Sequence, residues 1–270
     1  MFLATPGFLT PTQTPAATYL LDIYGGAAAA YSVFQLSSTA TNSLRVRRSS
    51  DNAEQDIGFV SDTLDTASLL TFVGSNDGFV TTYYDQSGNS SNFTQSSASN
   101  QPMIVNAGVV VTSDAVPAVK FDGINEYLSN TVDLFGEARL DQFFLTDTDG
   151  DTAYIFPNSS VTSYYGMIAN SGNTSTTTTS PSYGSPSLYQ NGVPINVTNR
   201  DTVYTDTNGR KVISHIDAAT SIWTQYRFGF WSAASVYNFG GKLSALVAYA
   251  SDQSANRVGI ETILDSLYNP

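Results

Sequence analysis

The 270-residue chain carries 11 basic against 23 acidic residues, a net charge of −12. That balance excludes nucleic acid and anionic membrane surfaces as partners, because both are held through Lys/Arg patches. The lack of cysteine excludes disulfides and thiolate metal sites, and no apolar run approaches the roughly 20 residues of a membrane-inserted helix.

Hydrophobic residues make up 41% of the chain, enough for a core, while only 13% are charged. Ser, Thr, Asn, Gly and Tyr fill the difference, a mixture that suits extended surfaces better than helices. Residues 1–18 are rich in Pro and Thr and read as an extended arm. Phe2, Leu3, Phe8 and Leu9 are its anchors for docking on a partner or on another copy of the chain. Pro6, Pro11 and Pro15 interrupt the apolar run, and no basic n-region precedes it, so the segment does not read as a secretory signal. Residues 19–270 read as one domain.

Tyr19, Leu20, Ile23 and Tyr24 have helical spacing, which Gly25-Gly26 breaks. Ala27 to Leu36 leads into a strand, and Leu44–Arg48 is another. Arg45 and Arg47 share a face there, ready to pair with Asp51, Glu54 or Asp56. Thr63–Val73 is predicted as a helix stopped by Gly74. Asp77–Gln95 then alternates β-branched and aromatic residues and ends in the turn Asp85–Asn89. A rigid strand presenting an amide-rich loop makes Tyr83, Tyr84, Asp85, Gln86 and Asn89 candidate ligand-binding residues, against the plainer reading of an ordinary turn. Met103–Val111 and Ala118–Phe121 follow as strands, Asp122-Gly123 as a turn, and Tyr127-Leu128 as a resumed strand.

Beyond Asp133 come short predicted strands at Gln142–Thr146, Tyr154–Phe156, Tyr164–Ala169, Ser187–Gln190, Thr202–Tyr204, Lys211–Ile216 and Thr224–Trp231. Asn191-Gly192 and Asn208-Gly209 are hairpin signals, and Ser171–Ser185 is a long loop. Gly240–Ala250 reads as a buried closing strand and Asn256–Tyr268 as a final helix. Many short strands at this spacing predict a sandwich or barrel.

Three further constellations carry chemistry. Asp147, Asp149 and Asp151 alternate as in half a Ca²⁺ loop, with Asp141 as a further ligand. The glycine stands fourth rather than sixth and no bidentate Glu follows, which favours a solvated acidic turn. His215, the lone histidine, has no visible Ser–Asp partners and reads as structural. Trp223, Trp231, Tyr164 and Tyr165, with Tyr83 and Tyr84, form either a sugar-stacking platform or core. No phosphate loop, dinucleotide fingerprint or zinc signature occurs, no organic cofactor is implied, and the five Asn-x-Ser/Thr sequons read as accidental.

The stretches LRVRRSSDNAEQDIGF (Leu44–Phe59), DGFVTTYYDQSGNSSNFTQ, AVKFDG (Ala118–Gly123) and the closing LSALVAYASDQSANRVGIETIL recur in an order that resembles a known group. It is the catalytic domain of α-L-arabinofuranosidase B and the related lectin-like domains of bacteriophage virion proteins. The resemblance implies an all-β, concanavalin A-like jelly-roll β-sandwich. It also implies a nucleophilic Glu preceding an Asn, where this chain has Gln190-Asn191, and an acid/base Asp in the region that here reads Gly229–Gly241. An amide is no nucleophile for an anomeric carbon, and Gly229–Gly241 contains no acid. The expectation is therefore a scaffold without enzymatic chemistry. It would be a bacteriophage virion protein (capsid decoration, fibre or tail component) made in the host cytoplasm. The arm would attach it to other virion proteins, and the domain would be homo-oligomeric with glycans as its ligand class. A glycoside hydrolase of arabinofuranosidase type and a bacterial surface adhesin are the alternatives.

Overall fold

The computed structural model describes residues 19–130, 139–148, 153–156, 166–179, 183–218, 226–229 and 238–268. Their strands form an all-β sandwich in which every pairing is antiparallel. One hydrogen-bonded path runs from the hairpin Ser187–Gln190/Val193–Pro194 through Arg210–Ala218, Leu140–Asp147 and Gly240–Tyr249. It continues through Val119–Asp122, Met103–Asn106 and Gly78–Tyr83 to Asn42–Arg48, Glu54–Val60 and Thr63–Leu64.

The path folds over because two strands change partner along their length. Gly240–Tyr249 pairs with Val119–Asp122 through its first residues and with Ala29–Ser32 through Ala245 to Ala248. Gly78–Tyr83 pairs with Met103–Asn106 at one end and with Phe93–Thr94 at the other. Phe93–Thr94 leads by way of Leu128–Asn130 to Tyr226–Phe228, which form the second layer. The layers meet through aromatic side chains. Phe228 lies 6.1 Å from Phe144 and 5.3 Å from Phe121, and Phe93 stacks on Tyr31 at 4.0 Å and on Tyr226 at 5.5 Å.

Leu140–Asp147 is buried at all eight positions, and Gly240–Tyr249 at all but Lys242. The second layer covers one face, and the helix Arg257–Tyr268 covers the other. That two-sided cover explains why these central strands read as continuous apolar runs rather than clean alternation. Ser214 Oγ donates to Glu261 Oε1 at 2.6 Å, fixing the helix to the sheet.

Several elements differ from their sequence reading. Thr202 to Tyr204 lies within a helix, Arg200–Thr207, whose capping box joins Asn199 and Thr202; two satisfied end amides outweigh the β-branched run. Met103 to Val111 is a hairpin, not one strand, turning at Ala107-Gly108 where both φ are positive (47° and 77°). The predicted Thr63 start of the second helix is strand, and the helix is Thr66–Val73, capped by Asp65. Asn191-Gly192 makes the expected tight hairpin (φ 45° and 79°), whereas Asn208-Gly209 joins a helix to a strand.

Candidate functional site

The YDQSGN loop braces the core. Tyr83 is fully buried, and its hydroxyl donates to Ser244 O at 3.0 Å. Gln86 is 4% exposed. Its Oε1 accepts Leu36 N–H at 2.7 Å, while Nε2 donates to Ser32 O and Phe34 O at 2.9 Å. Asp85 accepts from Ala30 N, Ser87 N and Ser91 N, and Asn89 Nδ2 donates to Ala27 O and Ala28 O. Tyr84, half-buried, donates to Asp56. Of the residues expected to meet a ligand, Tyr83 and Gln86 are buried in the core, while Asp85 and Asn89 stay at least partly exposed with hydrogen bonds to the neighbouring backbone. Asp85, Gln86 and Asn89 bond the backbone of Ala27 to Leu36, a segment that cannot supply all its own partners, and Tyr83 bonds Ser244 on the closing strand.

The acidic candidates are likewise engaged. Asp147 accepts from Ser113 Oγ at 2.8 Å and Lys242 Nζ at 3.1 Å, while Asp149 and Asp151 lie outside the described residues. Asp141 is fully buried. Arg139 grips both its oxygens at 3.0 Å, and the amides of Asp217 and Gln253 bond it at 2.7 Å. Asp141 thus fixes a β-bulge and completes no cation site. Among the described residues no three His, Cys, Asp or Glu converge for a metal. Of the face expected to pair, Arg45 meets Glu54 at 2.7 Å and Asp56 at 3.5 Å, whereas Arg47 bonds Gln101 and Asn52 instead, and it is Arg48 that pairs with Asp51, at 2.6 Å. The arm residues Phe2, Leu3, Phe8 and Leu9, and Tyr164, Tyr165, Trp223 and Trp231, lie outside the described residues.

The inner face of the larger layer is more polar than a sandwich core requires. Register places Leu188, His215, Gln142 and Ala248 in one row, and Gln190, Ile213, Phe144 and Leu246 in the next. Residues directly opposite in antiparallel pairs share a face, so both rows look toward the second layer. Tyr183 lies over them, hydrogen-bonded to His215 Nδ1 and accepting from Gln142 Nε2 at 2.9 Å; Tyr226 donates to Gln142 Oε1. Burial pushes His215 down to about 3, so its ring is neutral at ordinary pH. Gln190 is half-buried here, with Ile213 and Phe144 completing its row. No carboxylate stands in either row.

On the opposite face, a cavity of about 310 Å³ lies between the last helix and the Asn191-Gly192 turn. Asn191, Glu261, Thr262 and Asp265 line it. Glu261 is held by Ser214 Oγ and by Arg257 at 2.6 Å, so it anchors the helix.

One pair of acids was not singled out from sequence. Asp122 and Glu126 share the turn that links Val119–Asp122 to Leu128–Asn130. Asp122 Oδ1 accepts the amides of Ile124, Asn125 and Glu126 at 2.8, 3.1 and 3.3 Å, and Glu126 Oε2 accepts the Asp122 amide at 2.8 Å. Burial, then the Asp122 charge, push Glu126 up to about 8. Beside it, the Arg227 guanidinium sits 4.1 Å over the Tyr127 ring. The signal was present as D-G-x-x-E, an Asp able to close the turn and an acid four residues on.

No family model and no curated protein matches the chain. Solved structures do. An arabinofuranosidase complexed with arabinofuranosyl-α-1,2-xylobiose aligns with TM-score 0.52, and a GH54 α-L-arabinofuranosidase soaked with a cyclic sulfate inhibitor with TM-score 0.51. Each is 14% identical over 90% of this chain, which spans 63% of theirs.

The fold is that of the arabinofuranosidases.

At this identity the likeness establishes architecture, including the sandwich that the motifs implied. It overturns the expectation that the chain has no enzymatic role. The structures sharing its architecture are glycoside hydrolases.

Proposed function

We propose that this domain is a glycoside hydrolase of the arabinofuranosidase type, acting on arabinofuranosyl groups carried by a polysaccharide. The observation that supports this reading is the Asp122–Glu126 turn, set in an architecture shared with arabinofuranosidases over 90% of the chain. Glycoside cleavage needs two carboxyls in different protonation states. Amide bonds hold Asp122 as an acceptor, while burial favours the protonated Glu126. Gln190, on the inner face, supplies an amide suited to hydrogen-bonding sugar hydroxyls rather than to attack.

The test is hydrolysis of 4-nitrophenyl α-L-arabinofuranoside, and release of arabinose from arabinoxylan, by the full chain. Turnover lost in Asp122→Asn and Glu126→Gln supports the reading, and no turnover on either substrate rejects it. The virion attachment expected from the arm concerns residues outside the described ones and has no part in this proposal.

A further inference from the structure

We propose that the outer face of the sheet binds an amphipathic carboxylate, an aliphatic chain ending in a carboxyl group, with the chain in an apolar groove and the carboxylate on Lys120. The site lies on the opposite side of the sheet from Gln142 and His215 and does not depend on the glycosidase reading. Phe121 packs on Phe228 of the second layer at 5.3 Å, so Lys120, one residue earlier in the strand, points to the other face. Register sets Met103, Lys120, Lys242 and Asp147 in one row across that face. The last helix shields the same face at Ser214, but beside this row a groove of about 530 Å³ stays open. Met103, Val109, Val110 and Val111 line it together with the two lysines, and Val109 is 67% exposed.

The charges there are unusual for this chain. Arg45, Arg48, Arg139, Arg210 and Arg257 each meet a carboxylate, and Lys242 meets Asp147 at 3.1 Å. Lys120 is exposed and has no ion pair among the described residues. Asp122, two residues along the same face, is committed to the amides of Ile124 and Asn125. The groove therefore joins apolar walls to an ammonium without a counter-charge.

A carboxylate supplies that charge, and a methylene chain covers valine and methionine side chains without asking for hydrogen bonds. An added peptide strand would ask for them, and this edge has few to give. The chain turns at Ala107-Gly108, and Val111 spends its N–H on Ile104 O and its carbonyl on Ala118 N. A second copy docked through the same patch would bring two Lys120 ammoniums into one interface.

Calorimetric titration of the full chain with laurate, below its micelle concentration, tests the site. Dodecyltrimethylammonium is the control, a cation of equal chain length. The expected result is a single laurate per chain, with the cation bound roughly tenfold more weakly or not at all. Lys120→Met keeps the apolar stem and should weaken laurate roughly tenfold, the value of a hydrogen bond to a charged group. Val109→Asp puts a like charge in the groove and should abolish binding. Both positions are exposed, so thermal melts of the variants should match wild type. No bound laurate, equal affinity for the two ions, or variants that bind as wild type does overturns the site. So does a dimer in sedimentation that Val109→Asp dissociates, because the groove would then be the contact between copies.

Discussion

Gln86 Oε1 accepts the Leu36 amide at 2.7 Å while its Nε2 donates to two carbonyls of the same segment, Ser32 O and Phe34 O. One side chain thus substitutes for a missing strand along the interior edge of residues 32–36. Replacing it with Leu keeps the volume but leaves the Leu36 amide and the Phe34 carbonyl without these partners, while Ser32 O keeps the Ser43 hydroxyl. Gln86→Leu is expected to lose about 3 kcal/mol of stability, from the desolvation penalty of unsatisfied groups. Urea denaturation checks this; a loss under 1 kcal/mol would mean that another group takes over these bonds.

His215 gives the chain an acid-sensitive point. Its folded value of about 3 lies below the unfolded value near 6.5. As pH falls below 6.5 the unfolded chain takes up a proton that the folded ring refuses, so stability declines until pH approaches 3. The decline attributable to His215 is up to about 4 kcal/mol. His215→Gln, which retains a hydrogen-bonding partner for Tyr183, should flatten the stability profile between pH 6.5 and 4 relative to wild type. Parallel profiles would show that burial does not hold this ring neutral.

Glu126 acts in the opposite direction. Its folded value is raised to about 8, so its contribution is fully present below the unfolded value near 4.5 and is lost as pH rises through 8. Glu126→Gln, neutral at every pH, should match wild type at pH 5 and exceed it by about 1–2 kcal/mol at pH 9, after allowance for solvent screening. Thermal melts at the two pH values measure this without reference to activity.

Gly229 has no room for a side chain. Gly229→Ala adds a Cβ against Glu126 O and Phe121 at φ +114°, a region that L-residues rarely enter. The expected loss is about 3 kcal/mol, combining backbone strain with displacement of the turn. Urea denaturation measures the loss, and Gly192→Ala, whose Cβ would sit 3.7 Å from Glu261, should lose less.

The sequence alone determined the β-rich class, the pairing of Arg45 with Glu54, the Asn191-Gly192 hairpin and the terminal helix. These follow from local rules of alternation, turn chemistry and charge spacing, which act over a few residues. Tertiary structure decided what the polar residues do. Tyr83, Asp85 and Gln86 looked like an exposed ligand loop because polarity normally marks surface. Asp85 and Gln86 turn inward because Ala27 to Leu36 runs alongside without a full strand partner and draws their hydrogen bonds, while Tyr83 is buried with its hydroxyl on Ser244 O. Asp122 and Glu126 looked like an ordinary turn, since proximity to Gly229 and Asn238 arises from strands more than 100 residues apart in sequence. A carboxyl's protonation state depends on the dielectric and charge around it, and only the folded chain supplies those.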